Sequence, residues 1–146
     1  MLKPSESLKN NEIANSDDLI NEYPELAKSP VLDDLTFQEL RETIGDDLVF
    51  SDLVTVYLSS AESLLESIKA ALSNQDTQKI FLSAHSLKST SASIGALRLA
   101  HIARHLEMLG KSKDTENLSK IVDLIIHEYP KMTAALQVLV IELMSE

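Results

Sequence analysis

Apolar residues recur every three or four positions along most of this chain, and that spacing predicts amphipathic helices. The last stretch keeps the clearest register, with Leu118, Val122, Ile125, Tyr129, Met132, Leu136, Leu139 and Leu143 on one stripe. Pro130 lies inside it and predicts a kink, because proline lacks the backbone donor and crowds the preceding turn. Phe50, Val54, Tyr57, Ala61, Leu64, Ile68 and Ala71 form an earlier stripe behind the capping carboxylates of Asp46 and Asp47. Asn74-Gln75-Asp76 interrupts that pattern and caps a third helix, whose stripe is Ile80, Ala84, Leu87, Ser91 and Ile94. Gly95 then marks a helix junction that needs either positive φ or close helix approach. Leu99, Ile102, Leu106 and Leu109 mark a fourth helix expected to stop at Gly110, with a polar link over 111–114. Ahead of these, Thr36 and Glu39 have capping-box spacing for a short helix that runs to Ile44 and stops at Gly45.

Four amphipathic helices joined by short links must run antiparallel to bury their stripes together. The predicted fold class is therefore all-α: an antiparallel up-down-up-down four-helix bundle with a short N-terminal helix capping one end. The bundle is expected over 31–146. Residues 1–30 are polar, contain Pro4, Pro24 and Pro30, and predict a flexible tail with at most a helical turn or two after Asp17.

The composition agrees and narrows the function. Three glycines, four prolines and an aromatic share of 4% suit helices better than strands and turns. A net charge of −10 argues against nucleic acid and against an anionic membrane surface, since both need clustered Lys and Arg. No apolar run approaches the roughly 20 residues that span a bilayer, and nothing at Met1 resembles a signal peptide. The absence of cysteine leaves no disulfide framework and no thiolate metal site. These features predict a cytoplasmic protein, and a monomer, because the bundle stripes can be satisfied within one chain.

The candidate chemistry lies in the run from Ala84 to Gly95. At about 100° per residue, His85 falls roughly 140° from the centre of the core stripe of its helix. Gln78, Phe81, Lys88, Ser89 and Ala92 share its face. The imidazole should be exposed, with a cation one turn along and small residues leaving access to it. A neutral ring nitrogen attacks phosphorus well, and the N–P bond stays labile because imidazole, with a reference pKa of about 6.5, is a competent leaving group. Lys88 can balance charge on the phosphoryl oxygens.

The run resembles the histidine-containing phosphotransfer (HPt) domains of two-component phosphorelays. His85, Leu87, Lys88, the small run Thr90 to Ser93 and Gly95 match that motif in order and spacing, and Leu97 and Leu106-Glu107 also agree. Ser89 departs from it, standing where the family usually has the glycine that gives a partner close access; modestly altered docking is expected. The resemblance implies a phosphocarrier without ATPase or autokinase activity, which accepts a phosphoryl group on His85 from a receiver-domain aspartate and passes it to another receiver. It also implies response-regulator receiver domains and a hybrid histidine kinase as partners, with no cofactor of its own and Mg2+ supplied by the receiver. Phe37, Leu40, Ile44, Leu48 and Phe81, together with Ser86, Ser89 and Ala92, are the implied docking residues.

Other readings of the same residues carry less. A histidine kinase core needs an acidic residue after the histidine and a Gly-rich nucleotide domain, and this chain has Ser86 and three glycines. A helical adaptor that binds receiver domains without phosphotransfer is the remaining alternative. His101 and His105 have the i,i+4 spacing of a metal clamp but no third ligand, so they are expected to be solvated or capping, and His127 to lie on the surface. Met108 and Met132 read as core filler, and the paired aspartates as caps and solvated surface.

Overall fold

A computed structural model describes residues 19–145, and among them every regular element is a helix. The helices are α1 (Pro24–Ala27), α2 (Asp34–Ile44), α3 (Asp47–Ser73), α4 (Thr77–Ile94), α5 (Leu97–Ser112) and α6 (Thr115–Met144). Neighbours in sequence pack together from α3 to α6, and α6 returns to α3, which closes a four-helix ring with α2 laid against α3 and α4. The links are a few residues long, so consecutive helices must reverse direction.

Local chemistry sets the boundaries. Asp46 Oδ1 accepts from the backbone N–H of Leu48 and of Val49, Asp76 caps Lys79, and Asp114 caps Asn117. The expected capping box at Thr36 is displaced. Helix α2 begins at Asp34 with Asp33 as its N-cap, and the Thr36 hydroxyl donates to Asp33 Oδ2 at 2.5 Å. On α3 the buried stripe turns toward Leu65, and Leu64 is half-buried, because the 3.6-residue repeat drifts over a helix this long. Helix α6 continues through Pro130, with Tyr129 half-buried and the other predicted stripe residues buried.

Three further expectations change in three dimensions. Gly110 does not end its helix; α5 runs to Ser112 with left-handed Lys113 as its cap. A Cβ at Gly110 would lie 3.1 Å from Phe81 N and 3.2 Å from Thr77 O, so this glycine lets α5 press against the start of α4. Met108 is exposed, whereas Met132 is buried as expected. Most of the supposed tail that is described packs on the bundle. Ile20 and Leu26 are buried and α1 lies on α5, so the packed chain begins at least by residue 19 and not at 31; the preceding part of the 1–30 expectation falls outside the described residues.

Arg98 is the anchor of that segment. Its guanidinium donates to Ser29 O at 2.9 Å, to Ala27 O at 3.0 Å and to Glu128 Oε1 at 3.1 Å. Lys131 pairs with the other Glu128 oxygen at 2.6 Å. Glu128 is only 2% exposed, and two cations are what make a buried carboxylate tolerable there.

By length and composition, α3 could cross a membrane. Its apolarity has a local origin in two stripes. Phe50, Val54, Tyr57, Ala61, Leu65, Ile68 and Ala71 fill the core, while Val49, Leu53 and Val56 face outward.

Candidate functional site

Helix α4 presents His85 as its register requires. Ile80, Ser83, Ala84, Leu87, Ser91 and Ile94 are buried, and the His85 side chain is 57% exposed on the far side. Phe81, one turn earlier and half-buried, lies nearly parallel to the imidazole with ring centroids 6.4 Å apart. This neighbour limits ring rotation on one side.

Glu107 of α5 holds the other side. Its Oε1 is 3.2 Å from His85 Nδ1, and its Oε2 is 2.8 Å from Lys88 Nζ. Its side chain is 16% exposed and Oε2 is fully covered, so that oxygen meets the lysine as an ion pair away from water. Burial pushes the Glu107 carboxyl up, but the interactions with Lys88 and His85 outweigh it and leave the group below its ordinary value. Glu107 is therefore ionised at neutral pH. An ionised carboxylate can only accept, so the proton of a neutral His85 ring belongs on Nδ1. Nε2 then carries the free lone pair and points away from the carboxylate. Among the described residues no group of three or more His, Cys, Asp or Glu could hold a metal.

Periodicity places His85 and Lys88 on one helix, but it gives no role to Glu107, which reaches them from another. The only sequence signal for Glu107 is its place in the Leu106-Glu107 pair.

The docking expectations divide. Ser86, Ser89 and Ala92 are exposed around His85, and Leu48 is 80% exposed. Leu40 and Ile44 are half-buried against the core. Phe37 must be corrected: it is fully buried, with its ring edge-on to Phe50 at a centroid distance of 4.9 Å, and no partner can touch it. Leu53 and Val56 escape a reading of the sequence, because one apolar stripe already satisfies α3. With Leu40, Tyr57, Thr90 and Ile94 they line an apolar groove of about 350 Å3 between α2, α3 and α4. Inside it, burial pushes the Tyr57 phenol up to about 12 against the opposing hydrogen bond with Ser91, 2.7 Å away. That neutral hydroxyl pair ties α3 to α4 within the core.

His101, His105 and His127 are exposed. The His101 Nδ1 bonds the Ser29 hydroxyl, and His127 Nδ1 donates to the Asp123 carbonyl at 2.7 Å. Gly95 is the helix junction expected of it, with φ +93° at the end of α4.

The Hpt domain family model matches residues 52–140, which include His85, Lys88 and Glu107. The chain belongs to the Hpt domain family. Solved Hpt structures share the fold. Histidine-containing phosphotransfer protein B from Pseudomonas aeruginosa is 25% identical with a TM-score of 0.70, over 75% of this chain and 94% of that one. A histidine-containing phosphotransfer protein from maize is 20% identical with a TM-score of 0.66, over 85% and 95% of the two chains. No curated protein matches the sequence significantly.

Proposed function

We propose that this Hpt domain is a phosphorelay intermediate that takes a phosphoryl group from a receiver-domain aspartate onto His85 and delivers it to a second receiver. The observation that carries this reading is the pairing of His85 with Glu107, which leaves Nε2 of an exposed imidazole as the available nucleophile. Nε2 attacks the phosphorus of the aspartyl phosphate, an N–P bond forms, and the electron pair of the broken P–O bond returns to the aspartate carboxylate. Lys88 lies one turn along to offset phosphoryl charge, and the receiver supplies Mg2+. Membership of the family and likeness to phosphotransfer proteins support this chemistry. Hybrid histidine kinases and response regulators are the source and destination that fit it, and a cytoplasmic setting follows from such partners.

The receiver is expected to rest on the exposed side chains of Ser86 and Ser89 and on the groove formed by Leu40, Leu53 and Val56. Incubation with one receiver labelled through acetyl phosphate, followed by addition of a second, tests the sequence of transfers. Label should pass to this chain as an acid-labile, base-stable adduct and then onward. Its failure to appear on the chain would sink the reading.

Two variants probe the surface. Val56→Asp should weaken receiver binding about tenfold without loss of helicity, because it places a charge in an apolar interface while leaving the core intact. Binding unchanged by titration calorimetry would remove the groove from the interface. Lys88→Ala should slow transfer about 10- to 100-fold through loss of charge stabilisation. It should also lower the melting temperature by about 4–8 °C with helicity retained, because the covered Glu107 Oε2 loses the lysine while Oε1 keeps His85. Stopped-flow transfer and thermal melts read the two effects.

A further inference from the structure

Glu107 has a consequence for the phosphorylated state that goes beyond choosing the nucleophilic nitrogen. The carboxylate meets both cationic groups of the site, His85 through Oε1 at 3.2 Å and Lys88 through Oε2 at 2.8 Å. The charged groups at His85 are thus Lys88 from its own helix and Glu107 from the helix packed beside it. When Nε2 of a ring that keeps its Nδ1 proton forms the N–P bond, the ring becomes a phosphoimidazolium with positive charge. Loss of the Nδ1 proton would make the departing group an imidazolate, which leaves poorly. Retention of the proton lets a neutral imidazole leave instead.

We propose that Glu107 is a positioning residue that keeps the Nδ1 proton on phosphorylated His85 and so makes this domain a ready donor and not a store of phosphoryl groups. Two physical effects make the N–P bond labile. The carboxylate holds the proton on the ring, so that neutral imidazole is the leaving group, and its negative charge opposes the dianionic phosphoryl group nearby. Lys88, already paired with Glu107, then has two anions to divide itself between. A neutral amide at 107 would still accept from Nδ1 but would supply neither effect. In the onward step the N–P bond breaks, its electron pair stays on Nε2, and the phosphoryl group passes to the carboxylate of the next receiver. The Nδ1 proton remains in place throughout.

The inference rests on the phosphocarrier reading, and one experiment separates the two. The full chain, as wild type and Glu107→Gln, is charged by an acetyl-phosphate-labelled receiver, freed of receiver, and followed for loss of label between pH 6 and 9. Glu107→Gln should keep its label about tenfold longer at pH 8, and its lability should fall away at lower pH than in wild type. Equal lifetimes with superimposable pH profiles would overturn the role of Glu107. So would a folded Glu107→Gln that accepts no label. Absence of label on the wild type would overturn the phosphocarrier reading itself, and the inference with it.

Discussion

His85→Gln is expected to abolish label transfer from a phosphorylated receiver, by at least about a thousandfold, while the domain keeps its fold. Glutamine removes the imidazole nitrogen that forms the labile P–N bond, and an amide nitrogen cannot replace it because it gives its lone pair to its carbonyl and does not attack phosphorus. The structural cost is small for a reason visible in the packing. The His85 side chain is 57% exposed and projects away from Ala84 and Leu87, which fill the core. Surface changes of this kind stay within about 0.5 kcal/mol. The glutamine amide can also donate to the Glu107 carboxylate, so that oxygen keeps a partner. Circular dichroism should therefore give the wild-type spectrum, and a receiver pull-down should recover wild-type binding. Label that survives the substitution would place the phosphoryl group elsewhere and end the assignment. A wild type that binds receivers without taking label would favour a helical adaptor instead.

Gly95→Ala is expected to have the largest effect on stability. Gly95 has φ +93°, a conformation that an L side chain adopts only under strain. The added Cβ would lie 2.9 Å from Asp33 O and 3.3 Å from Thr36 Cβ. Asp33 O is backbone and cannot swing aside, and Asp33 N already donates to Gly95 O at 2.7 Å. The start of α2 is thus fastened to the end of α4 through this glycine. Strain and clash together should cost about 3 kcal/mol. For a domain of this size that lowers Tm by roughly 10 °C. A thermal melt within about 2 °C of wild type would show that α2 can shift to accept the methyl group. Transfer by the surviving folded fraction should persist, because His85 lies more than two turns away on the same helix.

Much of the fold was legible because helix chemistry is local. The stripes of α4 and α6, the caps at Asp46 and Asp76, and the outward direction of His85 depend on residues within a few turns of one another. The same locality explains the misreadings. A glycine reads as a stop, and at Gly110 only the partner helix shows that closeness to Phe81 is its purpose. Phe37 and Leu53 are both apolar residues near the predicted interface, and sequence cannot say which of them a neighbouring helix covers. The packed segment at 19–30 looked like tail because its anchor, Arg98, is about seventy residues away.

The sequence by itself determined the all-helical class, the buried stripes of α4 and α6, and the histidine and lysine that a single helix places one turn apart. Tertiary structure alone decided that Glu107 would join them, that an apolar groove would open beside them, and that Arg98 would gather the N-terminal segment. The physical reason is the same in each case. Periodicity follows from the geometry of one backbone, whereas a charge pair or a groove requires side chains from different helices to meet, and their meeting depends on how the whole bundle packs.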